Sequence, residues 1–243
     1  MIPKVTSKRT AQLVVVVLCA AVVKLYYSTA GVNQLRWILA PTTAVVELVS
    51  GSRFEFESHA GYMSSDRSFI IAASCAGINF LVTSFLMLAL RKLWADRKRD
   101  TAWRFIPWAA LCAYLATLVA NTVRISTALR LRELPLDVGW LSPKQLHRFE
   151  GIFIYFGFLL LLFMVIEKMG SENASRSENA SGLFRRTFCP LLIYYATTLG
   201  IPMATGAYRQ GADFWEHSLF VLLTPLLLIL PLATFRLYRE RRV

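Results

Sequence analysis

The amino-acid sequence predicts an all-α fold: one integral membrane domain, 1–243, built as a polytopic bundle of about six transmembrane helices plus one short interfacial or re-entrant segment. Of the 243 residues, 56% are hydrophobic and 17% are charged, and the mean hydropathy is +0.48. The apolar residues form long runs, which ordinary soluble domains do not contain. The basic residues lie between these runs, as they do in the loops of membrane proteins.

Six apolar runs supply the predicted spans. The run 69–90 has 22 consecutive uncharged residues. A helix of that length rises roughly 33 Å at about 1.5 Å per residue, which is enough to cross a bilayer. The predicted spans, in chain order, are 11–27, 69–90, 105–123, 149–166, 187–208 and 218–235.

Two stretches do not fit a span. Segment 35–49 is moderately apolar but is interrupted by Arg36, Pro41 and Glu47. It is too short for a confident span, so an interfacial or re-entrant segment is predicted. Segment 168–186 contains the pentapeptide Ser-Glu-Asn-Ala-Ser twice, which indicates a flexible loop.

The distribution of Lys and Arg predicts which way the chain crosses the membrane. Six spans place both termini on one side, together with the segments 91–104 and 168–186. Most of the 27 Lys and Arg residues fall on that side, which is therefore predicted to be cytoplasmic. The net charge of +12 then reflects topology and contact with membrane lipids, and no nucleic-acid partner is predicted.

Cys75 stands among small residues near the start of the run 69–90, in Ala-Ala-Ser-Cys-Ala-Gly. Cysteine is often only a buried apolar residue, and the other three cysteines fit that interpretation. The small neighbours of Cys75 leave room for a substrate backbone or for a neighbouring helix. Asn79 follows at i+4, on the same face of a continuous helix. Cys75 is therefore the candidate nucleophile, and Asn79 is a candidate supporting residue.

Arg124 and His147 lie at the predicted outer ends of later spans. An arginine at a membrane edge often only extends to the interface, but strongly polar groups at membrane depth indicate a function. Arg124, with Asn121 one turn earlier, is a candidate to stabilise an oxyanion, to hold a substrate carboxylate or to favour the thiolate of Cys75. His147 is the candidate general base and acid, with Glu150 at i+3 as a candidate orienting group.

Other chemistries lack the residues that they need. Zinc enzymes use clustered Cys, His or carboxylate ligands, for instance in HExxH, and neither that motif nor a Gly-rich phosphate loop occurs. No metal and no cofactor is predicted. His217, which follows Glu216, is the rival histidine for the role of base, and His59 is the weaker candidate.

Three short motifs occur in order, each at the outer end of a predicted span. They are Cys-Ala-Gly at 75–77, Ala-Asn-x-x-Arg at 120–124 and His-x-x-x-Gly at 147–151. The trio resembles the exosortase/archaeosortase family of multi-pass membrane cysteine transpeptidases, with exosortase K as the suggested subtype. The resemblance covers roughly 69–166. Many members carry an acidic residue before a Cys-Ser-Gly motif, whereas this chain has Ser74 before Cys-Ala-Gly.

The resemblance implies a mechanism, a substrate and a location. It implies that Cys75 is the nucleophile of a protease and transpeptidase, Arg124 its arginine partner, and His147 the general base and acid. The implied substrates are exported proteins with a C-terminal sorting signal of the PEP-CTERM kind: a short motif, a membrane helix and a basic tail. Cleavage would form a thioester, resolved by an acceptor that anchors the protein at the surface. The implied location is the bacterial inner membrane, with the site facing the periplasm.

A second function remains open at this point. A small transporter or an assembly scaffold would use Arg124 and His147 to bind an anion or to relay protons. Prolines in the last two spans, at 202, 225 and 231, would then mark helix breaks. The reactivity of the Cys75 thiol distinguishes the two functions.

Overall fold

The computed structural model describes residues 7–95, 102–133, 142–171 and 190–240, and within these ranges the chain is mainly helical. The helices are α1 (Ser7–Thr29), α2 (Arg36–Ser50), α3 (Ile78–Ala95), α4 (Phe105–Glu133), α5 (Pro143–Ser171), α6 (Pro190–Ala204) and α7 (Ala212–Glu240). A small antiparallel sheet of β1 (Phe54–Glu57), β2 (Gly61–Ser64) and β3 (Ile70–Ile71) lies between α2 and α3 in the chain. Most of the predicted loop 168–186 lies outside the described residues.

Five stretches of the described helices are long and apolar enough to cross a membrane. They are Lys8–Thr29, Ala73–Trp94, Phe105–Arg132, Gln145–Lys168 and Phe214–Pro231. Large apolar side chains on these helices are exposed; on α1, Val22 is 63% exposed and Leu25 is 68% exposed. A soluble protein would rarely leave such a continuous apolar surface in water, whereas lipid covers it at no cost. The predicted helical membrane bundle is confirmed.

The helices differ in length from the predicted spans. α4, α5 and α7 all extend beyond them, so that Arg124 lies within α4 instead of at its end. The predicted fifth span, 187–208, is wrong in extent. Here α6 has 15 residues and contains a π-helical stretch, Ala196–Gly200, and residues 187–189 lie outside the described ranges. α6 ends early because the N–H groups of Thr205 and Gly206 close a turn onto the carbonyls of Ile201 and Met203.

The segment predicted to be interfacial or re-entrant is the helix α2. Its 15 residues rise about 22 Å, which is less than the roughly 30 Å of a hydrocarbon core. Pro41 lies inside α2, and a buried face that includes Ile38, Leu39 and Val46 packs on α4. The Trp37 and Tyr114 rings stack with centroids 5.8 Å apart. The short helix is thus held to a long one by an apolar face and an aromatic pair.

The prediction of one continuous helix over 69–90 is wrong at its first end. Ile70 and Ile71 form β3, paired with Met63 and Tyr62 of β2. A 3₁₀ turn, Ala73–Ala76, follows, and α3 begins only at Ile78. Gly77 adopts a left-handed conformation, with φ 69°, which a helix cannot continue through. Cross-strand pairing and this glycine therefore override the apolar run, because neither depends on local hydropathy.

The described chain forms two compact units, Met1–Glu133 and Leu134–Val243, each considered by itself. In the first unit, α1 and α4 both pack on α3, and α2 packs on α4. At one end of this unit, Arg9 donates a hydrogen bond to the Leu93 carbonyl, beside Lys92 near the end of α3. The opposite end carries the sheet and the start of α3. The prediction of a single domain depends on how the two units pack together, and it stays a prediction.

An apolar cavity of about 260 Å³ lies among the helices of the first unit. Its lining includes Val23 of α1, Trp37 of α2, Phe85 of α3 and Tyr114 of α4. Neither Cys75 nor Arg124 lines this cavity. The cavity is therefore separate from the predicted reactive groups.

The turn between β2 and β3 is fixed by its own side chains. Hydrogen bonds from Ser64 and Ser68 lower the pKa of Asp66 to about 2, so this exposed carboxylate keeps its charge at neutral pH. Arg67 has a left-handed φ of 55°, and its guanidinium donates to a Glu57 oxygen at 3.0 Å. Asp66 and Arg67 thus hold β3 against the β1–β2 hairpin.

Replacement of Gly61 should disrupt the sheet. Gly61 has φ 131°, and a Cβ built there lies 2.4 Å from the Ile71 carbonyl oxygen. For Gly61→Ala we expect a loss of roughly 2–4 kcal/mol in the free energy of unfolding, since backbone strain and the clash with β3 add. Thermal unfolding in mild detergent measures the loss, and protease cleavage between β1 and β2 should become faster.

Gly51→Ala is the matched control for Gly61→Ala. Gly51 also has a positive φ, 75°, but nothing lies within 4 Å of the added Cβ. It should lose only about 1 kcal/mol, from backbone strain alone. Equal effects of the two substitutions would show that the close approach of β2 to β3 carries no weight.

In the second unit, α5 packs against α7. Gly157 of α5 lies beside Leu228 of α7, and the Phe156 ring meets the Tyr194 ring of α6 edge to face at 5.4 Å. The Tyr195 hydroxyl donates to the Leu222 carbonyl at 2.7 Å. Aromatic side chains thus bind the short α6 to the two long helices of this unit.

Candidate active site

Cys75 lies in the 3₁₀ turn ahead of α3, not two turns inside a helix. Its N–H donates to the Ala72 carbonyl at 2.9 Å, and its free thiol is partly buried. Asn79, four residues on, does not share a continuous helical face with Cys75, because the left-handed Gly77 interrupts the helix between them. The predicted i, i+4 relation is therefore wrong. The thiol belongs to a tight connection between sheet and helix.

Asn121 holds the Cys75 turn in place. Its side-chain amide nitrogen donates to the Cys75 carbonyl, across 46 positions of sequence, and Asn121 is fully buried. A buried hydrogen bond to a backbone carbonyl fixes the turn whatever side chain stands at position 75. The prediction that Asn121 supports the site near Cys75 thus gains a specific contact.

Arg124 follows Asn121 by one turn of α4 and is partly buried. Tyr27, near the end of α1, is close enough to both Cys75 and Arg124 to interact with each electrostatically. Cys75 and Arg124, 49 positions apart, therefore belong to one neighbourhood at one end of the first unit. The thiol, the guanidinium and the phenol thus lie at the same end of the first unit, where a guanidinium can stabilise an anion formed at the thiol.

Tyr27 is a site residue that the sequence analysis missed. The Lys24 ammonium donates to the Asn79 side-chain oxygen and lies 5.8 Å from the centre of the Tyr27 ring. Lys24 thus ties the end of α1 to the start of α3. The signal available in the sequence was a lysine and two tyrosines at the end of an apolar run.

His147 lies in the first turns of α5, in the second unit, together with Glu150. The His147 Nδ1 atom is 3.4 Å from a Glu150 carboxylate oxygen. The Glu150 side chain is only 6% exposed, whereas that of His147 is 49% exposed. A carboxylate at Nδ1 orients the ring and leaves Nε2 for a substrate. The predicted role of Glu150 as an orienting group fits this geometry.

The rival histidine, His217, lies on α7 near the same end of the second unit. Arg148 is 3.4 Å from a Glu216 oxygen, and Gln145 donates to the other Glu216 oxygen at 2.9 Å. His217 is near Arg148 and is partly buried. His59 is exposed and lies 3.5 Å from Glu57 in the β1–β2 hairpin. Of the three histidines, His147 combines an accessible ring with a buried carboxylate partner.

The structure brings together part of the predicted site within each unit. Cys75, Asn121 and Arg124 gather in the first unit, and His147 with Glu150 in the second. The prediction that His147 meets Cys75 depends on how the two units are arranged, and it stays a prediction. Among the described residues, no group of three Cys, His, Asp or Glu side chains is placed to hold a metal ion.

No protein-family model, no curated protein and no solved structure matches the chain.

Proposed function

We propose that the chain is a membrane-embedded cysteine peptidase and transpeptidase of the exosortase kind. The observation that carries the proposal is the shared neighbourhood of Cys75 and Arg124, with Asn121 bonded to the Cys75 carbonyl. A structural cysteine needs neither a fixed backbone turn nor a nearby guanidinium. A nucleophile benefits from both, because the turn sets its position and the cation stabilises negative charge.

The proposed reaction starts when the Cys75 sulfur attacks the carbonyl carbon of the scissile peptide. Arg124 stabilises the negative oxygen of the tetrahedral intermediate, and His147 accepts the thiol proton and donates it to the departing amine. The C–N bond breaks and a thioester remains on Cys75. An acceptor nucleophile then attacks the thioester, the product leaves, and the thiol is restored. The proposed substrates are exported proteins with a short motif, a membrane helix and a basic C-terminal tail.

The proposed location is the bacterial inner membrane, with the termini in the cytoplasm and the site on the periplasmic side. The distribution of Lys and Arg along the chain supports this orientation. The segments predicted to be cytoplasmic, including both termini and 91–104, hold most of the Lys and Arg residues. Arg9 and Lys92 lie at one end of the first unit, whereas Cys75 and Asn121 lie at the opposite end.

Thiol labelling tests this proposal against a transporter or scaffold. In one variant Cys75 is the only cysteine, and in the matched control it is Cys112, which is also partly buried. A small maleimide that also enters the bilayer should label Cys75 at least about tenfold faster than Cys112, because the thiolate is the reactive form. Arg124→Met should slow the labelling of Cys75. Equal labelling of the two cysteines, or none, would favour the transporter or scaffold.

A further inference from the structure

β3 is an outer strand, because the strand order of the sheet is β1-β2-β3. In an antiparallel pair, hydrogen-bonded and non-bonded residue pairs alternate, so one bond fixes the direction of the others. The Ser64 N–H donates to the Phe69 carbonyl at 2.9 Å. Tyr62 pairs with Ile71 two positions further on. Ile70, between Phe69 and Ile71, therefore directs its N–H and C=O away from β2.

The opposite edge of the sheet confirms this alternation and is already covered. The Ser65 N–H donates to the Arg53 carbonyl at 3.1 Å, so that the next residue, Phe54, directs its N–H outward from β1. The Phe54 N–H donates to a Glu47 carboxylate oxygen of α2 at 2.7 Å. A side chain thus occupies the position at β1 that a further strand would take.

The edge at β3 is open within the described chain. Ile70 is 36% exposed, and no described residue outside the sheet hydrogen-bonds to it. The strand is held firmly on its inner side, since the Phe69 N–H donates to the Ser64 hydroxyl at 2.9 Å. A fixed strand with outward N–H and C=O groups is a template for an extended peptide.

This open edge runs directly into the proposed nucleophile. Ala72 is extended, with φ −83° and ψ 176°, and the 3₁₀ turn with Cys75 follows at once. Two extended steps and three 3₁₀ steps separate Ile70 from Cys75, a path of about 13 Å at most. If one residue of an extended peptide pairs with Ile70, the peptide bond that reaches the thiol therefore lies roughly three to four residues further along the peptide.

We propose that the substrate's sorting motif binds as an added strand on β3, with its backbone hydrogen-bonded to the N–H and C=O of Ile70, and that this pairing delivers the scissile bond to Cys75. The inference rests on the proposed function and names the surface that recognises the substrate. The backbone hydrogen bonds would supply affinity whatever the exact sequence of the motif. Every second side chain of the bound peptide would supply selectivity. The membrane helix of the substrate lies beyond the paired segment.

Ile70→Pro tests the pairing. Proline is tolerated where an edge N–H faces away from the sheet, and it removes that donor. Ile70→Ala is the matched control, since it shortens the side chain and keeps the N–H. The probe is an exported reporter that ends in a sorting segment from the same genome. We expect KM for Ile70→Pro to rise about 5- to 10-fold over Ile70→Ala, the value of one net hydrogen bond, with kcat changed less. Equal KM values for the two variants would overturn the proposal.

A cross-linking measurement keeps the proposal testable if Ile70→Pro does not fold. Ile70→Cys is placed in a Cys75→Ala chain with no other cysteine, and single cysteines are placed along the reporter motif. A paired strand should cross-link at alternate reporter positions, because successive side chains point to opposite faces. Uniform cross-linking, or none, would overturn the pairing. The measurement needs no catalysis, so it separates failure of the pairing from failure of the proposed function. The proposed function is tested separately, by Cys75→Ala in the chain that keeps its other cysteines.

Discussion

Cys75→Ala should abolish processing of an exported reporter and leave the protein folded and inserted. Loss of a catalytic nucleophile lowers kcat by at least about 10⁴-fold. The fold should survive because Asn121 binds the backbone carbonyl at position 75 and not the sulfur, so the turn keeps its buried partner in the variant. Cleavage of the reporter is measured by the change in its mass, and folding by the thermal unfolding midpoint in detergent.

Cys112→Ala is the control for loss of a partly buried thiol. It should process the reporter at close to the wild-type rate, since Cys112 lies on α4 away from the 3₁₀ turn. A Cys75→Ala protein that still processed the reporter normally would remove Cys75 from the mechanism. The transporter or scaffold would then be the better account of Arg124.

Arg124→Met should lower kcat/KM by about 10²–10³-fold, the usual effect of removing one group that stabilises an oxyanion. Arg124→Lys should recover part of the loss, because an ammonium keeps the charge but not the planar fork of donors. The division between kcat and KM identifies the role. A fall in kcat indicates charge stabilisation in the transition state, whereas a rise in KM indicates that Arg124 holds a substrate carboxylate.

Arg130→Met supplies the matched control on the same helix. Arg130 lies in the last turn of α4 and is exposed, so its loss should change kcat/KM by less than about twofold. If Arg124→Met and Arg130→Met behaved alike, the guanidinium of Arg124 would have no special part in the reaction.

The long helices were predictable from the sequence because their cause is local. An uncharged run of about 20 residues satisfies its backbone within one helix and places its side chains in lipid. The pairing of Arg124 with Asn121 was equally local, since the two residues stand one turn apart on α4. The sequence predicted that Asn121 lies near Cys75 but not which atom it binds, because its hydrogen bond to the Cys75 carbonyl spans 46 positions.

The misplaced start of α3 has a non-local cause. Residues 69–77 are uncharged and are indistinguishable by hydropathy from the helix that follows. Ile70 and Ile71 form a strand because they pair with β2, and the left-handed Gly77 keeps the helix from beginning before Ile78. Tyr27 was also missed because its contacts are non-local. No local pattern states that the end of α1 lies beside Cys75, and the link through Lys24 and Asn79 exists only in three dimensions.

The position of Cys75 ahead of α3 bears on how a membrane-anchored polypeptide is cut. Peptide bonds within a helix are shielded by their own hydrogen bonds, and unwinding a helix in hydrocarbon exposes groups that nothing there can solvate. Cys75 is the third residue of the candidate span Ala73–Trp94, and it adjoins extended backbone. Under the proposed function, a substrate bond brought to Cys75 would lie at the end of the membrane span, where the substrate chain need not be helical. The membrane helix of the substrate could then leave intact.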